Sequence, residues 1–238
     1  MKSSTSEASQ SMDVEFGRGL PRTLKRELML RAWKVLPRLQ AAGKRGMDIA
    51  VSALMLTLLS PAFLLIAIMI RLTDRAAVLF WQDRVGKFGK TFRFPKFRSM
   101  VVNAEALQRQ LDLHNQHGDG VTFKMKRDPR ITWIGRIIRR ASIDELPQLW
   151  CVLKGEMSLV GPRPPLVSEV ARYSLSDRRR LEATPGLTCF WQVQGRSEIP
   201  FPRQVELDVD YIEKQSLALD VKLLAKTVPA IIGGRGAY

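Results

Sequence analysis

Cysteine and histidine are scarce, with two of each in 238 residues. Cys151 and Cys189, and His114 and His117, sit at spacings that match no zinc site. Two cysteines also make no disulfide framework, so the fold must stand on its core. The cysteines read as small core residues, which suits a reducing, cytosol-facing location. Acid is in short supply as well. There are 23 Asp and Glu against 38 Lys and Arg, a net charge of +15. That excess calls for a negatively charged partner: nucleic acid, an anionic membrane surface or a phosphorylated substrate. The opening MKSSTSEASQSMD lacks the apolar core of a signal peptide. Residues 1–20 read as a disordered tail.

What the chain does have is apolar sequence in one long block. Ile49 to Ile70 carries no charge. About 22 residues at 1.5 Å each reach roughly 33 Å, enough to span a bilayer core. That run counts against a nucleic-acid partner. Ser60 and Pro61 sit near its middle, where proline removes a backbone donor and kinks a helix. Both flanks are positive, with Lys44 and Arg45 before the run and Arg71 and Arg75 after it. A straight span keeps only one flank on the cytoplasmic side, whereas a helix that breaks at Ser60-Pro61 and returns keeps both there. Ser60 is placed to satisfy a carbonyl freed by the proline, which lipid cannot do. The expectation is a re-entrant hairpin over residues 43–76, with a kinked span as the alternative and a buried helix of a soluble protein as the third. Before it, residues 21–42 hold Leu24, Leu28, Ala32, Val35 and Leu39 at roughly helical spacing, between basic residues and beside Trp33. This suits a basic amphipathic interfacial helix, or equally a surface helix of a soluble domain.

Beyond the run the texture changes. VLFWQD and TFRFPKF, separated by RVGKFGK, predict a β-hairpin whose second strand Pro95 confines to an edge. Its lysines and arginines form either a solvated basic face or a phosphate-binding surface. Asn103 caps a predicted helix that Gly118 stops, with both histidines near its end. DPRITWIGRIIRR predicts an Asp-Pro turn and a second basic amphipathic helix, which carries Arg139 and Arg140 to the acidic pair Asp144-Glu145.

That pair has two readings. Ser142 with Glu145 three residues on is a capping box, and Asp144 in the first turn offsets the helix dipole. Alternatively, the helix start is a phosphate site. One acid then faces a phosphorus centre while the other holds Mg²⁺, which takes one or two carboxylates together with substrate phosphates. A carboxylate is able to attack a phosphoryl group covalently.

The strings KFRSM (96–100), SIDELPQLW (142–150), LKGEMSLVGPRP (153–164) and PGLT (185–188), in this order and with the Ser-Pro step, resemble the bacterial sugar transferase family. These are the monotopic polyprenyl-phosphate phosphoglycosyl transferases. The resemblance spans about residues 43–230. It implies a re-entrant membrane helix and an active site on the cytoplasmic face of the bacterial inner membrane. It implies transfer of a sugar 1-phosphate from a nucleotide diphosphate sugar, such as a UDP-hexose, to polyprenyl (undecaprenyl) phosphate through a phosphosugar–aspartate. Such a step opens exopolysaccharide, capsule or O-antigen synthesis. By position, Asp144 is the nucleophile and Glu145 a catalytic acid that holds Mg²⁺. Arg139 and Arg163 bind phosphate, with Lys96 and Arg196 as weaker assignments. The chain departs from the pattern at Cys189, where many relatives have glycine, and at Gln215, often tryptophan. Larger relatives carry transmembrane helices upstream, so this chain reads as a short form.

In the last third, SDRRRLEATPGL predicts a basic helix ended by Pro185-Gly186, and FWQVQGRSEIPF a loop. Asp208 and Asp210 form a D-x-D, the metal motif of another glycosyltransferase class, but no βα alternation precedes it and its neighbours suit a polar helix face. SLALDVKLLAKTVPAII predicts a second interfacial helix, and residues 233–238 a frayed tail. The expected architecture is mainly helical α+β. A re-entrant helix, a small β-hairpin and interfacial helices surround a catalytic domain over residues 77–232. Anionic lipid is an expected partner, a homo-oligomer is left open, and the alternatives are a non-catalytic basic membrane scaffold or a D-x-D enzyme.

Overall fold

A computed structural model describes residues 22–104, 106–107, 128–195 and 198–232. Both tails, the histidine-bearing stretch and Arg196 lie outside the described residues. The chain divides into two compact units, residues 1–43 and 44–238. In the first unit the described residues are helical from Arg22, and residues 35–43 are exposed.

Helix α1, Arg22–Asp74, contains the whole apolar run. Its Ala, Leu and Met content favours helix, against two interior prolines, Pro37 and Pro61, and Gly43 and Gly46. The helix nonetheless continues through Ser60 and Pro61, where a break was expected. The local bonding supplies a reason. Proline cannot donate to the carbonyl of Thr57, and Ser60 Oγ donates to that carbonyl at 2.8 Å. Thr57 Oγ1 donates in turn to Ala53 O at 2.9 Å. The segment Val35–Thr73 has a mean hydropathy of 2.5 and is long and apolar enough to cross a membrane, yet its apolar window is only 11% buried. A core helix of a soluble protein would be mostly covered. Here Leu54, Leu58, Leu64, Leu65 and Ile68 stand exposed.

Strands β1 (Leu79–Val85) and β2 (Thr91–Phe97) form the expected antiparallel hairpin, in register Gln82↔Phe94 and Arg84↔Phe92. The tip turns at Lys87–Gly89, with Phe88 in the left-handed region. Helix α2 is Trp133–Arg140, capped by Thr132, whose side chain accepts from Gly135 N. A 3-10 turn, Ile143–Gln148, follows and leads into α3, Leu149–Lys154. Strand β3 (Ser158–Val160) then pairs in parallel with β4 (Gly186–Thr188). Between them lie α4 (Val167–Val170) and a 3-10 turn, Asp177–Glu182. The sequence predicted a basic helix for that turn. Helices α5 (Phe190–Gln194), α6 (Phe201–Lys214) and α7 (Leu217–Ile232) complete the described chain. The first of these replaces the start of the predicted loop.

Gly161 and Gly186 explain how VGPRP and PGLT meet. A Cβ built on Gly186 would lie 2.0 Å from Gly161 N, so the two backbones touch where any side chain would part them. The main core gathers Phe92 and Phe94 from β2, Leu149 and Val152 from α3, Leu159 and Val160 from β3, Tyr211 from α6 and Leu223 from α7. Val51, Met55 and Leu56 of α1 pack on it. A second cluster joins Ile66 and Ile70 of α1 to Phe97, Ile134 and Ile138, with the Phe63 and Phe97 rings edge to face at 5.4 Å. Both arms of the apolar run therefore pack on the same unit, and exposed residues lie between.

Candidate active site

The hairpin, the 3-10 turn and the loop after β3 converge on one carboxylate. Lys96 Nζ from β2 donates to Glu145 Oε1 at 3.0 Å, and Arg163 Nη2 from the GPRP loop donates to the same oxygen at 3.1 Å. The three side chains are only 19%, 19% and 29% exposed, so these are partly desolvated ion pairs rather than surface ones. Burial works to raise the pKa of Glu145, but Arg163 and Lys96 outweigh it and hold the group well below the usual carboxylate range. Lys96 is pushed down, chiefly by burial, with Glu145 opposing the shift. Arg163 is pushed up, chiefly by Glu145.

Asp144 is placed differently. It is buried, 8% exposed, and its pKa rises from 3.8 to about 6. Burial is the main cause and the Glu145 charge adds to it, while Lys96, Arg139 and Arg163 pull the other way. The two neighbouring acids are thus driven apart: one is fixed as an anion between two cations, and the other is left as the more basic carboxylate. Titratable pairs whose environments push their pKa values apart in this way cluster at functional sites.

The local backbone differs from the capping-box expectation. Ser142 is left-handed at φ 55° and its side chain makes no cap. A 3-10 turn starts there, carrying both acids and accommodating Pro147. Behind it the frame is rigid. Asp48 of α1 accepts from Leu159 N at 2.9 Å and Ser158 Oγ at 3.1 Å. Lys44 donates to Asp220 at 2.6 Å and to Val160 O at 3.0 Å, and Tyr211 donates to the same Val160 carbonyl. Arg45 donates to Val152 O and Leu153 O, the last carbonyls of α3. The basic flank before the apolar run is therefore bonded within its unit.

Of the residues singled out in the sequence, the structure brings together Asp144, Glu145, Lys96 and Arg163. Arg139, in the last turn of α2, lies near enough for its charge to act on Asp144. Arg196 lies outside the described residues. Asp208 and Asp210 diverge. Asp208 is 1% exposed and bonded to Arg180, while Asp210 pairs with Lys214 on the outer face of α6. They point to different sides of the helix, each with its own cation, and do not form a shared metal site. The sequence reading missed Arg84, buried beside Arg163; within a basic run nothing marks it but its period-2 phase with Gln82 on β1.

Among the described residues no three His, Cys, Asp or Glu side chains gather as a metal cluster. Of the two acids, Glu145 Oε1 already accepts from Lys96 and Arg163, which leaves Glu145 Oε2 and Asp144 as the carboxylate oxygens open to an Mg²⁺ ion shared with substrate phosphates.

The profile of the bacterial sugar transferase family matches residues 39–234. The chain is 49% identical over 165 residues to Galactosyl transferase CpsE of Streptococcus agalactiae, an alignment covering 69% of this chain and 36% of that one. It is 36% identical over 198 residues to the Exopolysaccharide production protein ExoY of Sinorhizobium fredii, covering 82% and 88%. It is 38% identical over 220 residues to the UDP-glucose:undecaprenyl-phosphate glucose-1-phosphate transferase of Caulobacter vibrioides, covering 89% and 78%. The chain thus spans about a third of CpsE and most of the other two.

Proposed function

Because the chain belongs to the bacterial sugar transferase family, we propose that it transfers a hexose 1-phosphate from a UDP-hexose to undecaprenyl phosphate, with Asp144 as the nucleophile. The observation that carries this reading is the split acid pair: Glu145 locked between Lys96 and Arg163, and Asp144 buried beside it with a raised pKa. Relatives named for galactosyl and for glucose-1-phosphate transfer leave two hexoses in play.

In the first step an Asp144 oxygen attacks the sugar-bearing phosphorus. A P–O bond forms, the bond to the bridging oxygen breaks, and UMP leaves with that electron pair. In the second step an oxygen of undecaprenyl phosphate attacks the same phosphorus, and Asp144 departs as a carboxylate. Arg163, Lys96 and Arg139 hold the phosphate oxygens and offset the charge that develops there. Glu145 would hold Mg²⁺ together with the substrate phosphates, and the ion would supply further neutralisation there.

The apolar run places this chemistry at the membrane. Both arms of α1 pack on the catalytic unit, the residues between are exposed and apolar, and Ser60 repairs the carbonyl that Pro61 leaves bare. These features support membrane association through this run, and we read it as a re-entrant helix although the helix runs on through Ser60 and Pro61. One substrate is soluble and the other fixed in lipid, so anchoring converts their encounter into positioning.

The test uses UDP-glucose and UDP-galactose labelled at the sugar-bearing phosphate, with undecaprenyl phosphate in detergent. The expected result is label in the lipid fraction and UMP in solution. Label remaining with the nucleotide as UDP would mean transfer of the sugar alone and would sink the proposal.

A further inference from the structure

Arg84 is a buried cation that makes no direct ion pair; Glu169 and Glu145 act on it only at longer range. Its residue exposure is 8%, and its bonds go to neutral oxygens: Nη1 to Pro164 O at 3.0 Å and Nη2 to Gln82 Oε1 at 2.9 Å. Its Nε is buried without a partner. Burying an unmatched charge is costly, and an apolar side chain of similar size would avoid the cost. Phe94 covers both this guanidinium and the Lys96 ammonium, each 5.3 Å from its ring centre. The two cations are thus spaced on one face of the hairpin, on which Gln82, Arg84, Phe94 and Lys96 all lie.

The same strand end is sewn to the loop that carries Arg163. Val85 N donates to Pro165 O at 3.0 Å, and Arg84 pairs with Leu166 in an isolated bridge. Arg84 therefore grips the carbonyl one residue beyond Arg163 while its own charge repels Arg163. Burial and that repulsion lower its pKa to about 10, so it stays charged at neutral pH. Glu169 acts on both Arg84 and Arg163 from beyond hydrogen-bond range, as Glu145 does on Arg84.

We propose that Arg84 is a positioning residue for the diphosphate. Its hold on Pro164 sets Arg163, and its buried charge, which no carboxylate pairs directly, adds to the positive potential that a diphosphate meets. The inference rests on the sugar-phosphate transfer reading for its substrate, but its test does not require turnover.

The probe is inorganic pyrophosphate, titrated by calorimetry into the full chain in detergent, comparing wild type with Arg84→Met, Arg84→Gln and Arg84→Lys. The Met and Gln variants should bind at least about 10-fold more weakly, the scale of one lost charged contact. The Lys variant, which keeps the charge, should recover to within a few-fold of wild type. With UDP-hexose, the Met variant should show a raised KM and a smaller change in kcat. Equal pyrophosphate affinity in all four folded proteins, or a Lys variant no better than Met, would overturn the proposal. A wild type that binds pyrophosphate but transfers no sugar phosphate would instead overturn the functional reading and leave the Arg84 result standing.

Discussion

Replacing Asp144 by asparagine should stabilise the fold at neutral pH while abolishing activity. In the folded chain the pKa of Asp144 is raised from 3.8 to about 6 by burial and by Glu145. The folded state therefore holds its proton more tightly than the unfolded chain does. Below the unfolded pKa both states are protonated and there is no penalty. As pH rises from about 4 to about 6, the unfolded chain releases the proton first and stability falls. The full shift is worth about 3 kcal/mol at 1.36 kcal/mol per pKa unit. For a body of this size that is roughly 6–12 °C in Tm. Asparagine is neutral throughout and escapes the penalty. The assay is thermal unfolding of the two proteins side by side, in the same detergent with EDTA, from pH 4 to 7.5. The curves should meet near pH 4 and separate by pH 7, with the variant the more stable. Parallel curves across this range would mean that Asp144 is not a destabilised buried carboxylate, and its assignment as the tuned nucleophile would fail.

Three further outcomes follow from named contacts. Glu145→Gln removes the like charge beside Asp144, so the pH at which wild type and its Asp144→Asn counterpart separate should move below about 6; an unchanged midpoint contradicts the coupling. Lys44→Met strands Asp220, whose side chain is fully buried, and should cost about 3–5 kcal/mol in denaturant unfolding, with partial recovery in Lys44→Met/Asp220→Asn; additive losses in the double variant would argue against the pair. Gly186→Ala forces a methyl against Gly161 N and should lower stability by an amount at or above the top of the about 1–3 kcal/mol range for overpacking; a wild-type Tm would show that β3 and β4 do not meet as described.

The elements that the sequence revealed are those with a local period. The apolar run, the alternating hairpin around RVGKFGK and the Ile-Arg pattern of α2 are legible because neighbours along the chain set them. The ordered motif strings made Asp144, Glu145, Lys96 and Arg163 candidates before any geometry was known. What stayed hidden depends on distant partners. Lys44 and Arg45 read as a positive flank on the cytoplasmic side of the run, yet they bond within the protein, to Asp220 and to Val152 and Leu153. A three-residue parallel pair such as β3 and β4 has no period to detect; only its backbone contact at Gly161 and Gly186 defines it. The capping box at Ser142 was a fair local inference, but a left-handed Ser142 and a 3-10 turn took its place. Arg84 was indistinguishable from its basic neighbours until the pleat turned it inward under Phe94.

The central claim is that Asp144 itself carries the sugar phosphate between donor and acceptor. Intact mass spectrometry of the full chain, incubated with Mg²⁺ and each UDP-hexose but no acceptor lipid, tests it most directly. The account predicts a mass increase of one hexose phosphate with an active donor, located on Asp144 by peptide mapping, absent from Asp144→Asn and discharged when undecaprenyl phosphate is added. Steady transfer to the lipid by Asp144→Asn, or an adduct mapped to another residue, would contradict it.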